Sequence, residues 1–116
     1  LVRLVFIEAP AFTRHLGRYL SDSEFTELQT LLLRNPEAGA VVAGTGGLRK
    51  LRWGDSRRGA GKRGGLRIWY RHLPEYCELW FFTVYDKGEV KDLTPREKAQ
   101  LRVAVDSEFS QRRKTP

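Results

Sequence analysis

Gly44–His72, GTGGLRKLRWGDSRRGAGKRGGLRIWYRH, organises the reading of this chain. It holds nine Lys or Arg residues (Arg49, Lys50, Arg52, Arg57, Arg58, Lys62, Arg63, Arg67, Arg71) and one acid, Asp55. Outside it, twelve basic residues meet thirteen acidic ones. Two runs, LRKLRW (48–53) and LRIWYR (66–71), alternate bulky apolar with cationic side chains, and in a strand successive side chains point to opposite faces. One face of such a strand pair packs a core while the other presents a row of cations. The intervening GDSRRGAGKRGG (54–65) is too rich in glycine for a packed element and predicts a flexible hairpin loop. A cationic strand pair with a cationic loop suits a phosphate backbone.

The 116 residues predict one domain, spanning 1–116, with a single modest core. A net charge of +7 and a pI near 10.0 point to a polyanionic partner, because cations that neutralise phosphates release counterions. Charge spread evenly would read as a solubilising surface. Its concentration in one quarter of the chain favours nucleic acid instead. Cys77 is the single cysteine, which excludes an intrachain disulfide and a multi-cysteine zinc site. No run approaches the roughly 18 apolar residues of a membrane span, and LVRLVFIE is too short and too charged for a signal sequence. The expectation is a cytoplasmic protein with no membrane partner and no cofactor.

In chain order, Val2–Ile7 is β-branched and aromatic, a first strand ended by Pro10. From Ala11, the residues Phe12, His15, Leu16, Tyr19 and Leu20 recur at helical spacing, and Ser21-Asp22-Ser23-Glu24 supplies caps for a second helix. That helix carries Phe25, Leu28, Leu31 and Leu32 as one apolar stripe and stops before Asn35-Pro36. PEAGAVVAGTGG (36–47) is a glycine-rich approach to the first basic strand. ELWFFTVY (78–85) is nearly all apolar, as in a central strand covered on both faces. Asp86-Lys87-Gly88 turns the chain. Thr94 at N-cap, Pro95 at N1 and Glu97 at N3 then predict a capping box, with Leu101, Val105 and Phe109 docking the helix that follows. The basic tail 111–116 is expected to fray.

Strand, two helices, three strands and a helix predict an α+β domain. Its sheet is expected to be small and antiparallel-rich, of about four strands, with an N-terminal helical hairpin and a C-terminal helix packed on it. GTGGLRKLRW, GKRGGLRIWYR, ELWFFTVYDKGE and the helix start DLTPREKAQL together resemble the RelE/HigB toxins of bacterial type II toxin–antitoxin modules, the HigB branch in particular. The resemblance covers residues 2–110, with the segments in the family's order and spacing. It implies a RelE-like fold and a ribosome-dependent endoribonuclease that cleaves messenger RNA without a metal. It also implies a cognate antitoxin as partner, beside the ribosome and its message.

Cleavage of RNA by its own 2′-hydroxyl requires that hydroxyl to be deprotonated, the crowded phosphorane to be charge-stabilised, and the leaving 5′-oxygen to be protonated. By alternation, Lys50 and Arg52 share one face of the first basic strand, Arg67, Trp69 and Arg71 one face of the second, and Tyr85 and Lys87 leave the last strand together. If those faces coincide, five cations and a phenol line one concave surface. The resemblance matches Lys50 and Arg52 to the family's basic pair on its second strand. It matches Arg67 to the Arg of its G-x-R motif and Lys87 to the basic residue past its last strand. The departure is at the C-terminus, where RelE proper has a tyrosine and this chain has Leu93 and then a helix. Tyr85 stands in for that tyrosine, with Lys87 the alternative proton donor. A cation acting as base must first lose its proton, which a crowd of like charges promotes.

The remaining basic residues read as contacts to RNA or the ribosome: Arg49, Arg57, Arg58, Lys62, Arg63 and Arg71, with Trp69 either stacking on a base or packing across strands. Lysines at a strand edge also serve to prevent aggregation, and Arg67 has a surface ion pair as its plain alternative. Two other functions fit the same residues. ParE-type toxins of the same fold inhibit DNA gyrase without nuclease chemistry, and a noncatalytic RNA- or ribosome-binding module needs no more than the charge pattern. Basic residues at all four matched positions favour the nuclease.

Overall fold

ELWFFTVYD, Glu78–Asp86, forms the longest strand of the computed structural model, which describes residues 3–54, 65–89 and 93–114. The elements in order are strand β1 (Val5–Glu8), helices α1 (Pro10–Tyr19) and α2 (Asp22–Arg34), strands β2 (Ala40–Val41), β3 (Arg49–Trp53) and β4 (Leu66–Leu73), a 3-10 turn at Pro74–Tyr76, strand β5 (Glu78–Asp86) and helix α3 (Pro95–Lys114). The sheet runs β1-β5-β4-β3-β2, with β1 parallel to β5 and every other pair antiparallel. The domain is α+β with an antiparallel-rich sheet, and in place of about four strands the sheet has five, with β1 joining it in parallel. Two causes account for the difference. β2 is two residues long, too short to show a period, and periodicity identifies β1 as a strand without naming its partner. Among the described residues no helix is long and apolar enough to cross a membrane.

Local chemistry sets the helix ends. Pro10 opens α1, since a first-turn residue needs no amide donor. At α2 the Glu24 amide donates to Ser21 Oγ (3.2 Å) while the Ser21 amide donates to Glu24 Oε1 (2.9 Å). The same reciprocal pair closes α3, from Glu97 N to Thr94 Oγ1 (3.1 Å) and from Thr94 N to Glu97 Oε1 (2.8 Å). α3 is helical as far as Lys114, into the basic tail, and residues 115–116 lie outside the described residues. Gln, Arg and Lys are good helix formers, and cations at a helix C-terminus are favoured by its dipole.

Helices cover both faces of the sheet. On one, α1 and α2 bring Phe12, Leu28 and Leu32 onto Leu66, Ile68, Tyr70, Leu79 and Phe81, all fully buried. Phe12 stacks on Phe81 with ring centroids 4.7 Å apart, and Phe25 meets the same ring edge-on at 5.4 Å. Each such pair contributes about 0.5–1.5 kcal/mol beyond its buried area. On the other face, α3 contributes Leu101 and Val105, which pack with Leu48, Trp69, Phe82 and Tyr85.

A β-bulge in β5 decides which side Tyr85 faces. Tyr70 pairs with Phe81 but Trp69 pairs with Thr83, so Phe82 is the extra residue. Before it, Leu79 and Phe81 point toward α1 and α2; after it, Val84 does, and Tyr85 joins Trp69 on the α3 side. Strict alternation from Phe81 would have sent Tyr85 into the α1/α2 core. Bulges re-aim side chains in this way.

Candidate functional site

The cationic strands meet in a register that aligns the expected residues. Arg52 on β3 pairs with Arg67 on β4, and Arg67 pairs with Tyr85 on β5, one row across three strands. The next row is Lys50, Trp69 and Thr83. Same-face neighbours across strands hold their Cβ atoms about 4.5–5.5 Å apart, so each row is a line of side chains within reach of one another.

The rows are not an open surface of cations, and here the expectation is corrected. α3 packs on this face through Leu101 and Val105, beside Tyr85; Arg67 is 5% and Tyr85 6% exposed, whereas Arg52 is exposed and Lys50 half-buried. The site is therefore graded, with accessible cations on β3 and a nearly buried floor on β4 and β5. Trp69 is fully buried and offers no free ring face to a base; packing is the reading its environment fits. Its ring lies 5.5 Å from Lys50 Nζ, and its Nε1 donates to Tyr85 Oη at 3.1 Å. Arg67 Nη1 donates to the Leu66 carbonyl at 3.3 Å.

Two cations expected to contact RNA also have backbone partners within the fold. Arg71 Nη1 donates to the Gly46 carbonyl, and a Cβ at Gly47 (φ +104°) would clash with that guanidinium. The glycine leaves room for the guanidinium, which pins the 43–47 turn ahead of β3. Arg49 lies on the opposite face from Lys50 and Arg52, as its neighbouring position on the strand requires. Its Nη1 donates to the Gly39 carbonyl (2.8 Å) and the Glu37 carbonyl (3.4 Å). Arg57, Arg58, Lys62 and Arg63 lie outside the described residues.

Lys87 is exposed, on a turn held at several points. Its amide donates to the Gly65 carbonyl at 3.0 Å, and the Gly88 amide to Asp86 Oδ1 at 2.6 Å. Glu89 ties the same turn to α1: its Oε2 accepts from Tyr19 Oη (3.1 Å) and pairs with Arg18 Nη2 at 3.3 Å. Burial, then the hydrogen bond to Glu89, push the Tyr19 phenol above its ordinary value. Beside Tyr85 a cleft of about 310 Å³ is lined by His15, Arg18, Tyr19, Glu89, Leu93 and Glu97, among others. Sequence reasoning missed Tyr19 and Glu89 as site neighbours. Tyr19 sits in an apolar helical stripe, and no local period links it to a residue 70 positions on.

His72 faces away from Arg67, toward Glu37 and Arg49, and burial is the main cause that lowers its pKa. Among the described residues no three His, Cys, Asp or Glu side chains gather closely enough to hold a metal ion. No protein-family model matches the chain.

Proposed function

We propose that this protein is a RelE/HigB-type toxin. In this reading it is a ribosome-dependent endoribonuclease that arrests translation by metal-free cleavage of messenger RNA in the cytoplasm, and a cognate antitoxin neutralises it. The observation that carries the reading is the register Arg52–Arg67–Tyr85 beside Lys50–Trp69, which sets cations and a phenol on one face of one sheet. Lys50 and Arg52, at the accessible end, receive the phosphate backbone. Arg67, nearly buried and held against β4, is a preorganised charge of the kind that stabilises a phosphorane without reorganising. Tyr85 or Lys87 gives a proton to the leaving 5′-oxygen, and a deprotonated member of the same group takes one from the 2′-hydroxyl.

Primer extension on a reporter message, with and without translating ribosomes, tests this. Cuts that appear only with ribosomes are the expected result. Cleavage of naked RNA at similar efficiency, or arrested translation with intact messages, contradicts it. The second outcome favours the noncatalytic ribosome-binding module, a reading with one observation behind it: Arg67 and Tyr85 are only 5% and 6% exposed.

A further inference from the structure

Trp69 is fully buried in β4, yet its indole touches two groups assigned chemistry above. Lys50 and Tyr85 stand on β3 and β5, which β4 separates. At about 4.8 Å per strand, their backbones are roughly 10 Å apart, too far to fix each other directly. The indole spans that gap: Lys50 Nζ lies 5.5 Å from its ring centroid, and Nε1 reaches Tyr85 Oη at 3.1 Å. An indole N–H is a donor only, so in this contact the phenol oxygen must be the acceptor. The phenol's own proton is then directed away from Trp69. Over the ring, a lysine with four rotatable bonds gains a preferred seat, because a cation is drawn to the negative face of the π system.

We propose that Trp69 is a positioning residue, whose indole face seats the Lys50 ammonium and whose N–H turns the Tyr85 hydroxyl proton away from the indole. The inference rests on the nuclease reading. A side chain without access to RNA thereby sets the spacing of two groups that meet it. The two duties belong to different atoms of the ring. Phenylalanine keeps an aromatic face for Lys50 and removes the N–H.

The test is a double-mutant cycle of Trp69→Phe and Tyr85→Phe, read as single-turnover cleavage on ribosomes at saturating enzyme, with ribosome affinity measured alongside. Trp69→Phe should slow cleavage about tenfold, the effect of one lost hydrogen bond, and leave ribosome affinity unchanged. The double variant should cut no more slowly than Tyr85→Phe alone, because the N–H acts only through that oxygen. A residue with a merely structural role gives additive losses, and additive losses, or Trp69→Phe at the wild-type rate, overturn the inference. An independent readout uses the free protein: in Tyr85→Phe the Trp69 indole proton resonance should shift. A resonance that stays in place overturns the contact even where Trp69→Phe does not fold. A wild-type protein that cuts nothing ends the nuclease reading and this inference together, whereas cleavage unaffected by Trp69→Phe ends this inference alone.

Discussion

Tyr70 and Tyr85 stand on adjacent strands, both almost wholly buried, and differ in what they hold. Tyr70, on the α1/α2 face, donates to the Pro36 carbonyl (2.7 Å) and accepts from the Gly39 amide (2.9 Å). Tyr85, on the α3 face, accepts from a side chain, the Trp69 indole. The arginines of β3 divide in the same way: Arg49 reaches two backbone carbonyls on the first face, and Arg52 is exposed on the second. On the α1/α2 side, then, polar side chains fasten the backbone. On the α3 side Arg71 and Arg67 also reach backbone carbonyls, but Lys50, Trp69 and Tyr85 are arranged against each other, which is the condition for chemistry rather than for folding.

The largest effect that would break this contrast is at Arg67. Arg67→Ala should lower single-turnover cleavage roughly a hundredfold, about 3 kcal/mol of lost transition-state stabilisation, while the melting temperature shows the fold intact. A variant that folds and still cuts at the wild-type rate removes Arg67 from the site. Next in size is Gly47. Gly47→Ala places a Cβ against the Arg71 guanidinium at a left-handed backbone position, and should destabilise by about 1–3 kcal/mol in denaturant unfolding. If stability is unchanged, Arg71 does not pin the turn and returns to the RNA contacts.

The smallest effect is at His72, on the α1/α2 face. Burial disfavours its charged form, and the nearby Glu37 carboxylate opposes this. Its contribution to stability is therefore fully present above the ordinary value of 6.5 and is lost as pH falls from there through the lower folded value. Melting temperatures between about pH 7 and 5 should decline less steeply in His72→Asn than in the wild type. Identical slopes exclude His72 as the cause.

Helix starts were legible in the sequence because caps are local: Ser21 with Glu24, and Thr94 with Glu97, each act over three residues. The faces of β3 and β4 were legible because their cations and apolar residues alternate. β5 was legible as a strand but not in its phase. In a run as uniformly apolar as ELWFFTVY nothing marks Phe82 as the extra residue, and the side to which Tyr85 points follows from that residue. The burial of Arg67 was not legible either. It depends on tertiary packing that alternation along one strand does not report, just as the stripe Leu101, Val105 shows that α3 docks without showing what it covers. Arg71 resembled its neighbours in composition, and its role came from a glycine 24 positions earlier that makes room for it.

The most direct test of the division between the two faces is a matched pair of hydroxyl deletions, Tyr85→Phe and Tyr70→Phe, compared by single-turnover cleavage on ribosomes and by denaturant unfolding. Tyr85→Phe should cut at least a hundredfold more slowly, the usual range for a lost proton donor. It should itself lose about 1–3 kcal/mol of stability because the buried Trp69 indole N–H loses its acceptor, so cleavage by the folded molecules is what separates the pair. Tyr70→Phe should lose about 1–3 kcal/mol of stability, because the Gly39 amide and the Pro36 carbonyl lose their partner, while its folded molecules cut at the wild-type rate. Slow cleavage by folded Tyr70→Phe with normal cleavage by Tyr85→Phe would contradict the account and move the chemistry to the opposite face of the sheet.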